Sequence, residues 1–204
     1  MNASKRLETA IGGRWTGIAF EKNSNLKGNI AKRPMRLCEA IKEAYTSPVV
    51  LTKELINRPG ALRSLSWSTD EEEMIAEKIA EETGAKVEAI RKLVDNMPRL
   101  KAEDSITIGS IPRSGIAVSY TQPVAAMRLV RQWQLKHGSD LNIAASTLMS
   151  VCGSIVARAY ITGQICMSFG CPDSREHGGI GKDELVVGVP VHLIENMFLL
   201  NLTH

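Results

Sequence analysis

Residues 142–200 read NIAASTLMSVCGSIVARAYITGQICMSFGCPDSREHGGIGKDELVVGVPVHLIENMFLL. The Ala- and Ser-rich start predicts a helix from Asn142 to about Ala159. Gln164–Phe169 and Glu184–Val189 are rich in strand formers and predict two strands. Between them lies a long loop with Gly178, Gly179 and Gly181. Pro190 is placed to open a final helix ending near Leu200, because proline suits a first helical turn. Helix, strand, loop, strand, helix is not the regular beat of a parallel βαβ protein. It predicts an α+β fold, a mixed sheet with flanking helices.

The upstream chain agrees. Arg14–Lys22 alternates Trp15, Gly17 and Ala19 with Thr16, Ile18 and Phe20, a strand pattern. Residues 23–34 form a polar loop, and a helix follows Pro34 as far as Tyr45. Val49–Thr52 reads as a buried strand and Asn57-Arg58-Pro59-Gly60 as a turn. Thr69 with Glu72 forms a capping-box pattern that opens a helix, and Lys86–Asn96 forms a second one. Residues 69–97 thus predict an acidic helical hairpin. Ser105–Ser110 and Ile116–Tyr120 predict strands, and Pro123–Lys136 a helix stopped by His137-Gly138.

The chain has 204 residues, 44% apolar and 23% charged, with 16 Gly and 8 Pro, which excludes disordered, collagen-like and coiled-coil classes. This length buries a core without covalent staples, and residues 1–204 read as a single domain. Four cysteines are too few for a disulfide scaffold. The first twenty residues lack the apolar core of a signal peptide, and the best apolar stretch, Leu148–Ile161, is broken by Arg158. The expectation is a cytoplasmic protein with reduced thiols and no membrane contact. Net charge is +3, with the excess of base in the first third. Those charges are scattered and only nine residues are aromatic, which disfavours nucleic acid as a partner.

Chemistry concentrates in Phe169–Glu184, which holds Cys171, Asp173, Arg175, His177, Lys182 and Asp183. Arg175 and His177 would stabilise a thiolate at Cys171, and His177 would serve it as a base. Exposed backbone amides of a Gly-rich turn hold anions. A plain surface loop is the bland alternative. The glycines match neither a P-loop nor a dinucleotide fingerprint. No Cys-x2-Cys pair marks a zinc ribbon or ferredoxin run. Cys38 falls in a first helical turn after Arg33 and Arg36, which favours its thiolate. Cys152 among apolar residues reads as a buried thiol, and Cys166 as core. His137 reads as a helix-end cation and His192 as surface.

Two segments echo one another. CEAIKEAY starts at Cys38 and CGSIVARAY at Cys152, each with Ile three positions on. Nineteen positions after these cysteines come Asn57 and Cys171, each at a proline-containing turn. The echo predicts two pseudo-repeated helix–strand–turn units; chance similarity is the competing explanation.

Three blocks carry a family resemblance. RLCEAIKEAYTSPVVLTKELINRPGALRSLSW (36–67), VSYTQPVAAMRLVRQW (118–133) and SVCGSIVARAYITGQICMSFGCPDSREHGGIGKDELVVGVP (150–190) resemble the archaeal and bacterial family called domain of unknown function 169, or ArCR. The resemblance spans about residues 14–200. It implies no activity, but it implies that Cys38, the Asn57 turn with Pro59-Gly60, Cys152, and Cys171 with Arg175 matter. Asn57 stands where the family's usual cysteine is, with Arg58 before Pro59, so a four-thiolate site would lack one ligand. Either Cys166 substitutes, or this member has lost a metal or redox role. Combining echo and resemblance, we expect Cys38, Asn57, Cys152 and Cys171 within about 10 Å of each other, a generous span around one ion.

Three readings follow, in this order. The first is a thiol-centred pocket binding a metal, an Fe–S cluster or a small anionic ligand. Cys38, Cys152 and Cys171 are then the candidate metal ligands, and Arg175, Asn57 and Asp173 the ligand-binding residues. The second is an enzyme using Cys171 as nucleophile or redox thiol, with His177 beside it. The third is a non-catalytic subunit of a larger complex, docking through Phe198-Leu199-Leu200.

Overall fold

The computed structural model describes residues 3–20, 27–68, 72–141, 143 and 146–197. Seven strands form one open mixed sheet: β1 (Thr16–Ala19), β2 (Asn29–Ile30), β3 (Val49–Thr52), β4 (Ser105–Gly109), β5 (Ile116–Thr121), β6 (Cys166–Ser168) and β7 (Leu185–Pro190). Their order is β2-β3-β4-β1-β5-β7-β6. Only β2–β3 is parallel; every other pairing is antiparallel. The fold is α+β, as the mixed pattern of elements predicts.

The central strand β5 is buried at all six positions, so both of its faces are covered. Ile116, Val118 and Tyr120 join Ile18, Leu51, Ile106, Ile108 and Val186 in the larger core. Ala117 joins Trp15, Val187 and Val189 on the opposite face. The first face is covered by α2 (Leu37–Glu43), α3 (Pro59–Ser64) and a helix spanning Ser150–Thr162; the second is covered by α1 (Ala3–Ala10), α6 (Pro123–His137) and α9 (Val191–Met197). The hairpin α4 (Glu72–Thr83) and α5 (Val87–Asp95) forms a third cluster through Ile75, Ile90 and Val94, closed by Met97 and Met149. The Thr69 cap falls outside the described residues, as does Phe198-Leu199-Leu200.

Several expectations are corrected. The helix expected from Asn142 starts at Ser150, entered through Met149 in the left-handed region (φ 42°). Its first part, Ser150–Ala157, is a π-helix; Arg158–Thr162 continues it as α7. This unusual helix lies directly on the sheet: a Cβ at Gly188 of β7 would sit 2.6 Å from Ile155 Cγ2, so only glycine fits there. The loop expected at 169–184 contains a helix, α8 (Pro172–Gly178), opened by Pro172 and closed by Gly179 at φ 69°. The turn at Asn57-Arg58-Pro59-Gly60 is the entry to α3, with Pro59 in its first turn. Helix α1 was not expected; Leu7 and Ile11 anchor it in the core.

Residues 35–60 run helix, strand, a 3-10 turn at Lys53–Leu55 and a proline-started helix; residues 149–174 run helix, strand and proline-started helix without such a turn. In the sheet, the antiparallel pair β1–β5 is flanked by β4 and β7, and these by β3 and β6.

Candidate functional site

The N-terminal end of α2, the start of α3, the π-helix and α8 meet on the first face of the sheet. Cys38 is buried in the first turn of α2, against α8. The approach is close: a Cβ at Gly178 would lie 2.7 Å from Cys38 Cβ and 3.0 Å from its Sγ. From the other side, the Tyr120 hydroxyl donates to the Cys38 carbonyl at 2.9 Å and fixes the turn on β5. Cys152, partly buried on the π-helix, sits against the first turn of α3; a Cβ at Gly60 would lie 3.9 Å from its Sγ. Cys171 is the N-cap of α8 and is partly buried. Its N–H donates to Ser174 Oγ at 2.9 Å and its Sγ lies 3.3 Å from the same oxygen. Ser174 Oγ in turn donates to the Cys171 carbonyl at 2.9 Å.

Burial pushes the Cys38 thiol up to about 12, reinforced by Cys152, Cys171 and Asp173. Burial likewise raises Cys152 to about 12, with Cys171 adding to the rise and Ser64 opposing it. Cys171 thus adds to the rise at both Cys38 and Cys152, although the three come from distant segments. The thiolate expected at Cys38 is not favoured, because desolvation outweighs the arginines before it. Cys166 is core, its thiol raised to about 11 by burial.

A charged rim adjoins the thiols. Arg36 Nε lies 3.0 Å from both oxygens of Asp173, and Arg58 Nη2 lies 3.3 Å from Oδ1. His177 Nε2 is 3.9 Å from Asp173 and 3.5 Å from Glu176. Two arginines thus share the Asp173 carboxylate, and Arg36 Nη1 also lies 3.9 Å from Glu39. Arg36 and Arg58 were not among the expected site residues. Only their neighbourhood to Cys38 and to the Asn57 turn pointed toward them.

Other placements differ from expectation. Arg175 does not face Cys171; its guanidinium donates to the carbonyls of Gly181 at 2.7 Å, Phe169 at 2.5 Å and Glu184 at 3.2 Å. It pins the chain on both sides of α8. His177 lies in the last turn of α8, whereas Cys171 is its extended N-cap, so the two are placed at opposite ends of the helix. No hydrogen bond joins them among the described residues. The Asn57 side chain is exposed; its backbone N–H donates to Met35 O at 3.2 Å. Among the described residues, no group of three or more His, Cys, Asp or Glu is placed to hold a metal ion.

The family model described as uncharacterised ArCR, domain of unknown function 169, matches residues 16–198. The chain belongs to this family. The match takes in all seven strands and the residues of the candidate site described above. An uncharacterised protein of Methanocaldococcus jannaschii, MJ0308, is 29% identical to this ArCR chain over 117 residues, covering 54% of it. The chain spans about half, 49%, of the length of that relative. No solved structure matches. Among the described residues, no helix of this ArCR protein is long and apolar enough to cross a membrane.

Proposed function

We propose that this protein binds a small anionic ligand at a thiol-centred site where two pseudo-repeated units meet. Cys38, Cys152 and Cys171 form the floor of the site, Cys171 being its accessible thiol. Arg58 and Arg36, with His177 when protonated, supply its positive rim through Asp173. One observation supports the reading: the elements that carry Cys38, Cys152 and Cys171 pack on one another, beside two arginines that share the Asp173 carboxylate. The irregular backbone under Cys152 supports it, since π-helices and left-handed non-glycine residues gather at functional sites. Of the ligands expected from the sequence, an anion suits this geometry better than a metal ion or Fe–S cluster. Burial holds the Cys38 and Cys152 thiols in their neutral form, and Arg36 and Arg58 both reach Asp173, two positions after Cys171.

The test compares alkylation by iodoacetate with alkylation by iodoacetamide, followed at Cys171 by peptide mass spectrometry. A cationic rim concentrates the anionic reagent, so the iodoacetate-to-iodoacetamide rate ratio at Cys171 exceeds that of free glutathione severalfold. The excess falls in Arg58→Ala and in high salt. A ratio equal to that of glutathione refutes the anion site. Stoichiometric metal after anaerobic purification, lost together in Cys38→Ser and Cys152→Ser, replaces the anion reading with a metal one.

A further inference from the structure

A second concave site lies at the other end of α2, formed by segments far apart in sequence. It is a cleft of about 690 Å³ between the Gly12-Gly13-Arg14 turn after α1, the end of α2, the end of β5 and the start of α6. The volume lies in the range that takes metabolite-sized molecules. Its wall includes Arg14, Lys42 and Arg128 against a single carboxylate, Glu184. Glu184 is already engaged, accepting from the Gly181 N–H at 2.6 Å. Arg14 and Lys42 make no ion pair among the described residues, and the Arg128 guanidinium reaches only the Ile11 carbonyl, at 3.5 Å.

The 15-residue helix α6 begins at this cleft. Gln122 is its N-cap and makes no side-chain capping bond, and its first turn holds no acidic residue. Its amide end and dipole therefore face the cleft without a protein anion. A second observation is independent of the helix. Thr121, 3% exposed, lines the cleft, and its Oγ1 has no hydrogen-bond partner among the described residues. The Ser119 hydroxyl beside it is equally unpartnered. Both hydroxyls lie under Gly13, where a Cβ would come within 2.9 Å of Thr121 Oγ1 and 3.0 Å of Ser119 Oγ. Gly13 has φ 77°, so a side chain there is both strained and obstructed. Buried hydroxyls are costly to leave unpaired, so two unpartnered ones at the wall of one cleft call for an acceptor.

We propose that this cleft binds a phosphorylated small molecule. The phosphate sits over the start of α6, between Lys42 and Arg14, and accepts from Thr121 Oγ1. Tyr45 and Tyr120 wall the cleft beside it and give a ring face to the rest of the ligand. A dianion matches the surplus of unpaired cations better than a carboxylate does. None of the charged or thiol side chains of the first site lines this cleft; the two sites meet at Tyr120, whose hydroxyl donates to the Cys38 carbonyl.

The experiment uses the full chain and inorganic phosphate as probe, with chloride at equal ionic strength as control. Binding is read as a rise in melting temperature and by calorimetric titration. Phosphate raises the melting temperature saturably, whereas chloride does not. Lys42→Met abolishes that rise. Thr121→Val weakens phosphate binding roughly tenfold, the loss expected for one hydrogen bond to a charged group. In the ligand-free protein the same variant is as stable as the parent or more so, because an unpaired buried hydroxyl has been removed. A merely structural threonine would instead lower stability and leave the phosphate effect intact. Cys171→Ser keeps the phosphate effect whether or not the thiol site exists, so failure of one proposal is separable from failure of the other. No phosphate effect above chloride, or an equal effect in the parent and both cleft variants, overturns the proposal.

Discussion

Replacing Asp173 by asparagine removes the negative charge on which the Arg36 and Arg58 guanidinium groups converge. The side chain keeps its size, so the change isolates electrostatics. Arg36 contributes the larger share: its Nε reaches both carboxylate oxygens at 3.0 Å, and its side chain is only 15% exposed. A charge-assisted bond of this kind is worth about 1.5–2 kcal/mol once the 42% exposure of Asp173 is allowed for. The Arg58 contact is longer, at 3.3 Å, and more open, so it adds about 0.5 kcal/mol. The amide recovers one neutral hydrogen bond but leaves two positive charges facing each other. The net loss is about 2 kcal/mol, or roughly 4–8 °C in melting temperature for a chain of this size. Urea unfolding of the parent, Asp173→Asn, Arg36→Ala and the double variant measures it. The double-mutant cycle should return a coupling above about 1 kcal/mol between positions 36 and 173. Loss under 0.5 kcal/mol, or additive single variants, would show that the ion pairs are mere surface contacts and would refute the reasoning.

Three further outcomes are expected. Cys38 and Cys152 have folded-state values near 12 and Cys166 near 11, all above the 9.0 of a free thiol. Their stabilising contribution is whole below pH 9 and lost as pH rises toward 11–12, by up to about 1.4 kcal/mol per pH unit for each thiol. Urea midpoints measured between pH 8 and 11 should fall steeply, and less steeply in Cys38→Ala; a flat profile contradicts the burial of these groups. Gly178→Ala pushes a methyl group onto Cys38 and should cost about 1–3 kcal/mol, read by thermal melting. Arg175→Ala frees three carbonyls and should speed proteolytic nicking within residues 179–184 severalfold, with the global unfolding midpoint shifted much less.

Much of the fold was legible where a local rule coincided with tertiary packing. Val49–Thr52 reads as a buried strand and is β3, because its β-branched run lies against α2 and β4. Pro123 and Gly138 bound α6 by the ordinary start and stop chemistry. The helix expected from Asn142 failed because Ala and Ser content has no direction; Met149 in the left-handed region sets the true start. Helix α8 was hidden by glycines on its far side, although Pro172 at its first turn and Gly179 past its end were the signals to heed. Spacing together with the family resemblance pointed to Cys38, Cys152 and Cys171, which the fold carries on α2, the π-helix and the N-cap of α8. Arg175 misled because charge in a loop reads as ligand binding, whereas a guanidinium with five donors is equally suited to tying down carbonyls. The second cleft was not legible at all. Its cations come one from each of three segments, and only the sheet brings them together.

The position of β1 has a consequence for how the chain is made. Its residues are at the beginning of the sequence, yet Gly17 pairs with Gly109 on one side and with Ala117 on the other. A strand that lies in the middle of the finished sheet therefore leaves the ribosome without either neighbour. At usual synthesis rates it waits about 5–20 s for them to emerge. During that interval Ile18 and Phe20 have no sheet to enter. Closure of the sheet around β1 is then a late, non-local event, and the slow step of folding is expected there rather than in any of the helices.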